Sequence, residues 1–328
     1  MSGSGKVRVL ITDGMAKDGV EILNRNPSAF EVDLRKATPV EELEKIIGDY
    51  ECIVIRSATT LTKGLIDRAT KLKLIVRAGA GVDNIDVGTA SAKKVPVMNT
   101  ATANSLAAAE QSIALMFAML RMLPQAAWTL REGKWDRDSF KGYEATGKTL
   151  GVVGLGNIGR IVAEKARGLG MNVIGFDPMI QGSILGVPWL KVCGTLDELL
   201  KEAHIVTLHI PKSKETTNLF NSDRLGSMRD KSFLINCSRG GIVDENAVLA
   251  AIDSGKLSGA AFDVYEKEPP VFPQKLFTHP KVVCAPHLGA STYEAQDRVA
   301  LTAANQIVAY FGKNERTGVV NAKEVWSS

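Results

Sequence analysis

Residues 149–177 read TLGVVGLGNIGRIVAEKARGLGMNVIGFD, and this stretch decides the fold. Its start, LGVV at 150–153, suits a buried strand. Gly154, Gly156 and Gly159 follow at once, and a helical pattern runs from about Ile158 to Leu169. A second β-branched run then ends in Asp177, at the offset of about 20 residues expected for a ribose-binding acid. A glycine-rich turn alone would be weak evidence. Strand, turn, helix, strand and acid in this order describe a dinucleotide site. Gly154 permits the tight turn, Gly156 lets the backbone approach a pyrophosphate, and Gly159 lets the helix pack on the strand. The pyrophosphate would rest on unpaired amides at the helix start. Asp177 would accept from both ribose hydroxyls and repel a 2′-phosphate. No arginine follows it closely, which favours NAD over NADP.

Working outward, the same alternation continues in both directions. Downstream, strand-like runs occur in HIVTLHI, SFLINCS, GAAFDVY and VVCAP, with helical patterns between them and a last helix from Thr292 to about Phe311. Upstream, VRVLIT (7–12), Phe30 to Leu34, CIVI (52–55) and LKLIV (72–76) alternate with helical segments near 16–24, 39–47 and 63–69. Strands alternating with helices imply parallel sheets covered on both faces. The expected class is therefore α/β with two doubly wound parallel-sheet domains, for which 328 residues are sufficient. Ser105 to Leu123 reads as one long helix, apolar nearly all round and hence buried. Residues 131–147 read as an irregular excursion.

Several function classes are disfavoured. The net charge of +4 is spread along the chain, which suits a small anionic substrate better than nucleic acid. Cys52, Cys193, Cys237 and Cys284 form no CxxC pair, so neither a metal site nor a disulfide framework is expected, and reduced thiols fit a cytoplasmic location. Glu110, Gln111 and Arg121 interrupt the most apolar stretch, which argues against a membrane span. No apolar leader is present, and the opening MSGSG carries no information about fold.

In a doubly wound sheet, chemistry gathers at the carboxyl ends of the strands. After the glycine turn, one strand leads to Arg239, one to Glu266, Lys267 and Glu268, and one to His287. An arginine, an acid and a histidine suit hydride transfer between a 2-hydroxy and a 2-oxo acid. Histidine is a base near neutral pH, a carboxylate beside it favours the imidazolium, and arginine grips the substrate carboxylate with two parallel hydrogen bonds. Asp263 could instead serve the cofactor side. Of the four histidines, His204 opens a strand and His279 precedes Pro280 in a polar loop. His209 ends a strand and competes with His287, although a histidine hydrogen-bonded beside the cofactor is its simpler reading.

The motifs GLGNIG with Asp177, NCSRGGIVDE, FDVYEKEPP and PHLGAST resemble the D-isomer-specific 2-hydroxyacid dehydrogenases, in that family's order of Arg, Glu and His. RAGAGVDNIDV (77–87) and NTATANSLAAAE (99–110) resemble its phosphoglycerate dehydrogenase branch. The resemblance covers nearly the whole chain. It implies that Arg239 binds substrate, His287 is the acid/base and Glu268 is its partner. It implies NAD contacts from Gly154, Gly156, Asn157, Ile158, Gly159, Asp177, Ile210, Cys237, Ser238, Arg239, Asp263, His287, Leu288, Gly289 and Ala290, with Ala80, where branch members often carry Thr, contributing through its backbone or not at all. The substrate carboxylate would meet the amides of Gly79, Ala80, Gly81 and Val82, and Arg56 and Arg77 are the candidate phosphate ligands.

Family architecture implies a flavodoxin-like substrate domain from 1–100 and 288–328, with a Rossmann NAD-binding domain inserted at 101–287, and a homodimer or homotetramer. The activity implied is NAD-dependent oxidation of D-3-phosphoglycerate to 3-phosphohydroxypyruvate, the entry to serine synthesis. Two alternatives stay open: a glyoxylate or hydroxypyruvate reductase, and an NAD(H)-sensing corepressor of the same fold.

Overall fold

The computed structural model describes residues 5–180, 182 and 187–326; most of the opening MSGSG lies outside them. The chain forms two compact units, Met1–Asn104 with Ala290–Ser328, and Ser105–Gly289. The first unit begins β1 (Val7–Ile11), α1 (Lys17–Asn24), β2 (Phe30–Leu34), α2 (Val40–Ile46), β3 (Cys52–Ile55), α3 (Lys63–Arg68), β4 (Leu74–Arg77), α4 (Val87–Ala92) and β5 (Val97–Asn99). The second contains α5 (Ser105–Leu120), α6 (Leu123–Arg131), β6 (Thr149–Val153), α7 (Asn157–Gly168), β7 (Asn172–Phe176), β8 (Lys191–Val192), α8 (Leu196–Glu202) and β9 (Ile205–Leu208). It continues with α9 (Ser222–Ser227), β10 (Ser232–Asn236), α10 (Glu245–Asp253), β11 (Leu257–Phe262), α11 (Lys275–Thr278) and β12 (Val282–Cys284). The chain then returns to the first unit with α12 (Tyr293–Lys313) and α13 (Ala322–Trp326).

The first sheet has strand order β2-β1-β3-β4-β5, all parallel, which is the flavodoxin-like arrangement. Alternate residues of each strand point to opposite faces. Leu10, Ile53, Ile55 and Ile75 pack against Leu43, Leu65 and Ile66 on one side. Val9, Ile11, Val54 and Val76 pack against Leu23 and against Val299, Ala303 and Ile307 of α12 on the other. Each fully buried aliphatic side chain here contributes about 2 kcal/mol. Thr292 starts α12 by accepting the Ala295 amide through its hydroxyl at 3.1 Å.

The second sheet runs β12-β11-β10-β9-β6-β7-β8, again all parallel, and its order reverses at β6, as in a Rossmann sheet. β6, β9 and β10 are buried along their whole length, which is why they read as continuous apolar runs without alternation. The helix expected over Ser105 to Leu123 is shorter. It ends at Leu120, Met122 adopts the left-handed conformation (φ 48°), and α6 leaves at 64°. Pro124 supplies the reason: without an N–H, and with its ring against the preceding turn, it can open a helix but not continue one. Among the described residues no single helix is long and apolar enough to cross a membrane.

Candidate functional site

The pairing register lines up Phe176, Val153, Leu208, Asn236, Phe262 and Cys284 across six adjacent strands. The residues immediately beyond that row are Asp177, Gly154, His209, Cys237, Asp263 and Ala285. One carboxyl edge thus collects almost every polar group singled out in the second half of the sequence.

At its β6–β7 end lies the glycine turn. Gly154 has φ +93°, and a Cβ there would overlap the His209 carbonyl and press on Ile210. A Cβ on Gly159 would overlap the Gly154 carbonyl, so the first turn of α7 lies directly on the loop. Gly156 caps α7 with no side-chain hydrogen bond, and a Cβ on it would meet only open space. The first amides of this 12-residue helix are therefore left for an anion. Asp177 accepts the Leu155 amide on Oδ2 and the Met179 amide on Oδ1, both at 2.9 Å, which fixes the acid against the turn. A pyrophosphate on the helix start and a ribose at Asp177 fit these groups.

At the other end lie the three strand-end loops. Asn236 is 1% exposed and builds the first of them. Its Oδ1 accepts the Ser238 amide and hydroxyl, and its Nδ2 donates to the Arg239 carbonyl. Burial pushes the neighbouring Cys237 thiol up to about 12, against a hydrogen bond with Ser112, so it stays protonated. From the second loop, Glu268 Oε2 meets His287 Nδ1 of the third at 2.5 Å, and Glu268 Oε1 accepts the Tyr265 amide at 2.9 Å. Burial would raise the Glu268 carboxyl. The His287 and Tyr265 hydrogen bonds and the charges of His287 and Arg239 outweigh it and hold the group below the usual carboxylate range. An ionised carboxylate only accepts, so Nδ1 carries a hydrogen and Nε2 of the neutral ring carries none.

His287 itself has φ +54°, a left-handed conformation that costs a residue with a Cβ about 1 kcal/mol. Asp263, 1% exposed, holds the turn by accepting the Leu288 and Gly289 amides at 2.8 Å, and Gln111 Nε2 donates to it at 3.2 Å. Burial nevertheless pushes the Asp263 carboxyl above its ordinary value. The competitor His209 stands in different surroundings. Burial drives it down to about 3, so it stays neutral, with Nε2 3.0 Å from the Thr207 hydroxyl. His204 accepts the Thr149 amide at the opposite edge, and His279 lies 3.3 Å from Asp253.

In the first unit, the row Ile55, Arg77 and Asn99 places Arg56 and Arg77 on adjacent strand ends. Asp13 accepts the Arg56 and Thr59 amides, and Asn84 donates to the Arg56 carbonyl at 2.7 Å. The turn at 79–82 is held by the Thr100 amide on the Gly79 carbonyl and by Asn99 Nδ2 on the Ala80 carbonyl. Ala290 opens this unit's second segment. Among the described residues, no cluster of three or more His, Cys, Asp or Glu side chains could hold a metal ion.

The supports of these loops went unread in the sequence: Asp13, Asn84, Asn99, Gln111, Asn236 and Glu245. Their partners are remote or backbone groups, so no local spacing marks them. Asn84 lies inside RAGAGVDNIDV, Asn99 opens NTATANSLAAAE, and Asn236 and Glu245 stand at the two ends of NCSRGGIVDE, but those motifs do not name the partners; Asp13 and Gln111 lie outside every motif singled out.

Residues 113–289 match the family model described as the D-isomer specific 2-hydroxyacid dehydrogenase NAD binding domain. The chain belongs to the D-isomer-specific 2-hydroxyacid dehydrogenases. NAD is the cofactor of this domain, in agreement with Asp177 and the absence of a following arginine. This family member is 40% identical over 319 residues to the D-3-phosphoglycerate dehydrogenase of Methanocaldococcus jannaschii, covering 97% of this chain and 60% of that protein. The chain thus spans less than two thirds of the length of the curated relatives it matches. Among solved structures, a protein of Thermus thermophilus superposes with a TM-score of 0.87 at 30% identity, covering 96% of this chain and all of that one. A glyoxylate reductase from Paecilomyes thermophila superposes with a TM-score of 0.86 at 28% identity, covering 96% of this chain and 98% of that one.

Proposed function

We propose that this chain catalyses NAD-dependent oxidation of D-3-phosphoglycerate to 3-phosphohydroxypyruvate, the step that opens serine synthesis. The observation that carries the reaction type is the 2.5 Å contact between His287 Nδ1 and Glu268 Oε2, with Arg239 close enough for its charge to act on the same carboxylate. NAD, when bound through the Gly154–Gly159 turn and Asp177, supplies the acceptor for the hydride that leaves C2. His287 Nε2 takes the C2 hydroxyl proton, and the ionised Glu268 stabilises the imidazolium that results. In the reverse direction the same imidazolium returns the proton to the carbonyl oxygen. Arg239 holds the substrate carboxylate in register with that histidine.

The substrate assignment is supported by the 40% identity to D-3-phosphoglycerate dehydrogenases and by Arg56 and Arg77 on adjacent strand ends. A glyoxylate or hydroxypyruvate reductase is the second reading, favoured by the close superposition on a glyoxylate reductase. NADH oxidation with 3-phosphohydroxypyruvate, hydroxypyruvate and glyoxylate in parallel separates them. Preference for the phosphorylated substrate is the expected result. Preference for an unphosphorylated one moves the chain to the reductase reading, and absence of turnover with tight NADH binding leaves a corepressor-like role.

The same reading includes self-association in the cytoplasm. No residue of α6 is buried, and Leu123, Trp128 and Leu130 are each more than half exposed, which suits the contact of a second copy of this chain. Light scattering should give a dimer or tetramer mass; a monomer contradicts it. Four free cysteines support a reducing compartment, which fractionation of the native source would check.

A further inference from the structure

Three strand-end loops meet at one residue that hydride transfer does not use. Tyr265, 6% exposed, gives its amide to Glu268 Oε1 at 2.9 Å and its hydroxyl to the Ala285 carbonyl at 2.8 Å. The Phe262 carbonyl lies farther from that hydroxyl, at 3.3 Å, so the single hydroxyl hydrogen is committed to Ala285. Ala285 stands two residues before His287, and its carbonyl also accepts the His287 amide at 3.0 Å. On the third side the Tyr265 carbonyl rests on Gly240, the residue after Arg239, where a Cβ would overlap it. Glu245 steadies the same peptide by accepting the Glu266 amide at 2.8 Å.

We propose that Tyr265 is a positioning residue for the His287–Glu268 pair: its hydroxyl holds the turn that carries the histidine while its amide holds the glutamate. The inference rests on the reading of His287 as the acid/base. The left-handed turn at His287 is gripped at both ends, by Asp263 on the amides of Leu288 and Gly289 and by Tyr265 on the carbonyl of Ala285. Releasing one end lets the strained residue relax and swings the imidazole away from Glu268. The ring packs edge-on against Phe277 with centroids 5.1 Å apart, so a phenylalanine at 265 keeps the packing and loses the hydroxyl, with its bond to Ala285 and its contact with the Cys284 thiol.

The test is Tyr265→Phe in the full chain, assayed by NADH-dependent reduction, with Phe277→Leu as a packing control and His287→Gln in parallel. Tyr265→Phe should lower kcat about tenfold, leave the NADH dissociation constant within about twofold, and keep a melting temperature close to wild type. KM for the oxo acid should stay within about twofold, because Arg239 is untouched. Phe277→Leu should stay near wild-type kcat. Unchanged kcat in Tyr265→Phe overturns the proposal. So does a joint loss of kcat, NADH affinity and melting temperature, which would mark a merely structural role. A dead His287→Gln beside an unaffected Tyr265→Phe removes this inference alone, whereas an active His287→Gln removes the acid/base reading and this inference with it.

Discussion

At the carboxyl edge of the seven-stranded sheet, side chains are coupled to one another: Glu268 to His287, Asp263 to Gln111, and Asn236 to Ser238. The carboxyl edge of the five-stranded sheet also holds backbone through side chains, as Asp177 and Asp263 do on the first, but its side-chain pairs are those of the Thr59 hydroxyl with Thr12 and Asp13 and not a carboxylate with an imidazole. Asp13 accepts the Arg56 amide, Asn84 donates to the Arg56 carbonyl, and Asn99 donates to the Ala80 carbonyl. The first arrangement tunes protons, since it keeps a carboxylate ionised against an imidazole. The second fixes where arginines and loop amides sit, which is what an anion site needs. On the proposed function, two sheets built to one topological rule divide the work, with chemistry on one edge and recognition on the other.

Variants at each edge test this division through different kinetic constants. The largest effect is expected for His287→Gln, which should lower kcat by about a thousandfold with NADH affinity intact. A rise in KM with kcat unchanged would place His287 in recognition instead. Arg56→Ala and Arg77→Ala should each raise KM for the phosphorylated substrate by about ten- to thirtyfold with little change in kcat. Equal effects on glyoxylate would remove the phosphate from the account.

The smallest effect is on stability. The native Glu268 carboxyl lies below its ordinary value, so its contribution is complete above an unfolded pKa of about 4.3 and vanishes as pH falls through the lower native value. Glu268→Gln should thus unfold more readily than wild type at pH 6, and the difference should shrink below about pH 4 in denaturant titrations. A gap that persists at acid pH would assign the loss to packing.

The two edges also differ in how much of them the sequence discloses. On the seven-stranded sheet the glycine turn, Asp177, Arg239, Glu268 and His287 all stand at fixed offsets from apolar strands, so their places follow from counting. The edge of the five-stranded sheet depends on register: Asp13 and Arg56 meet only because β1 and β3 pair, 43 residues apart. Nothing near Asp13 announces that partner. Short elements escaped for a related reason. β5 and β8, with three and two residues, are too brief to show a period, and α4, α9, α11 and α13 are no longer than six residues. The apolar pattern of residues 105–123 ran through a break that hydrophobicity cannot register, because Pro124 ends a helix by steric and hydrogen-bonding rules. Tyr265 was equally opaque, lying in the motif FDVYEKEPP as one more aromatic until the Ala285 carbonyl was folded against it.

The most direct test of the chemical edge is the kcat of NADH-dependent reduction by wild type and Glu268→Gln, with the NADH dissociation constant measured for both. On the proposed reading the ionised Glu268, 2.5 Å from His287 Nδ1, stabilises the imidazolium that gives its proton to the carbonyl oxygen. Glu268→Gln should then lower kcat about a hundredfold while NADH binding stays unchanged. An unchanged kcat would contradict that reading, because the carboxylate would then have no hold on the proton that reduction consumes.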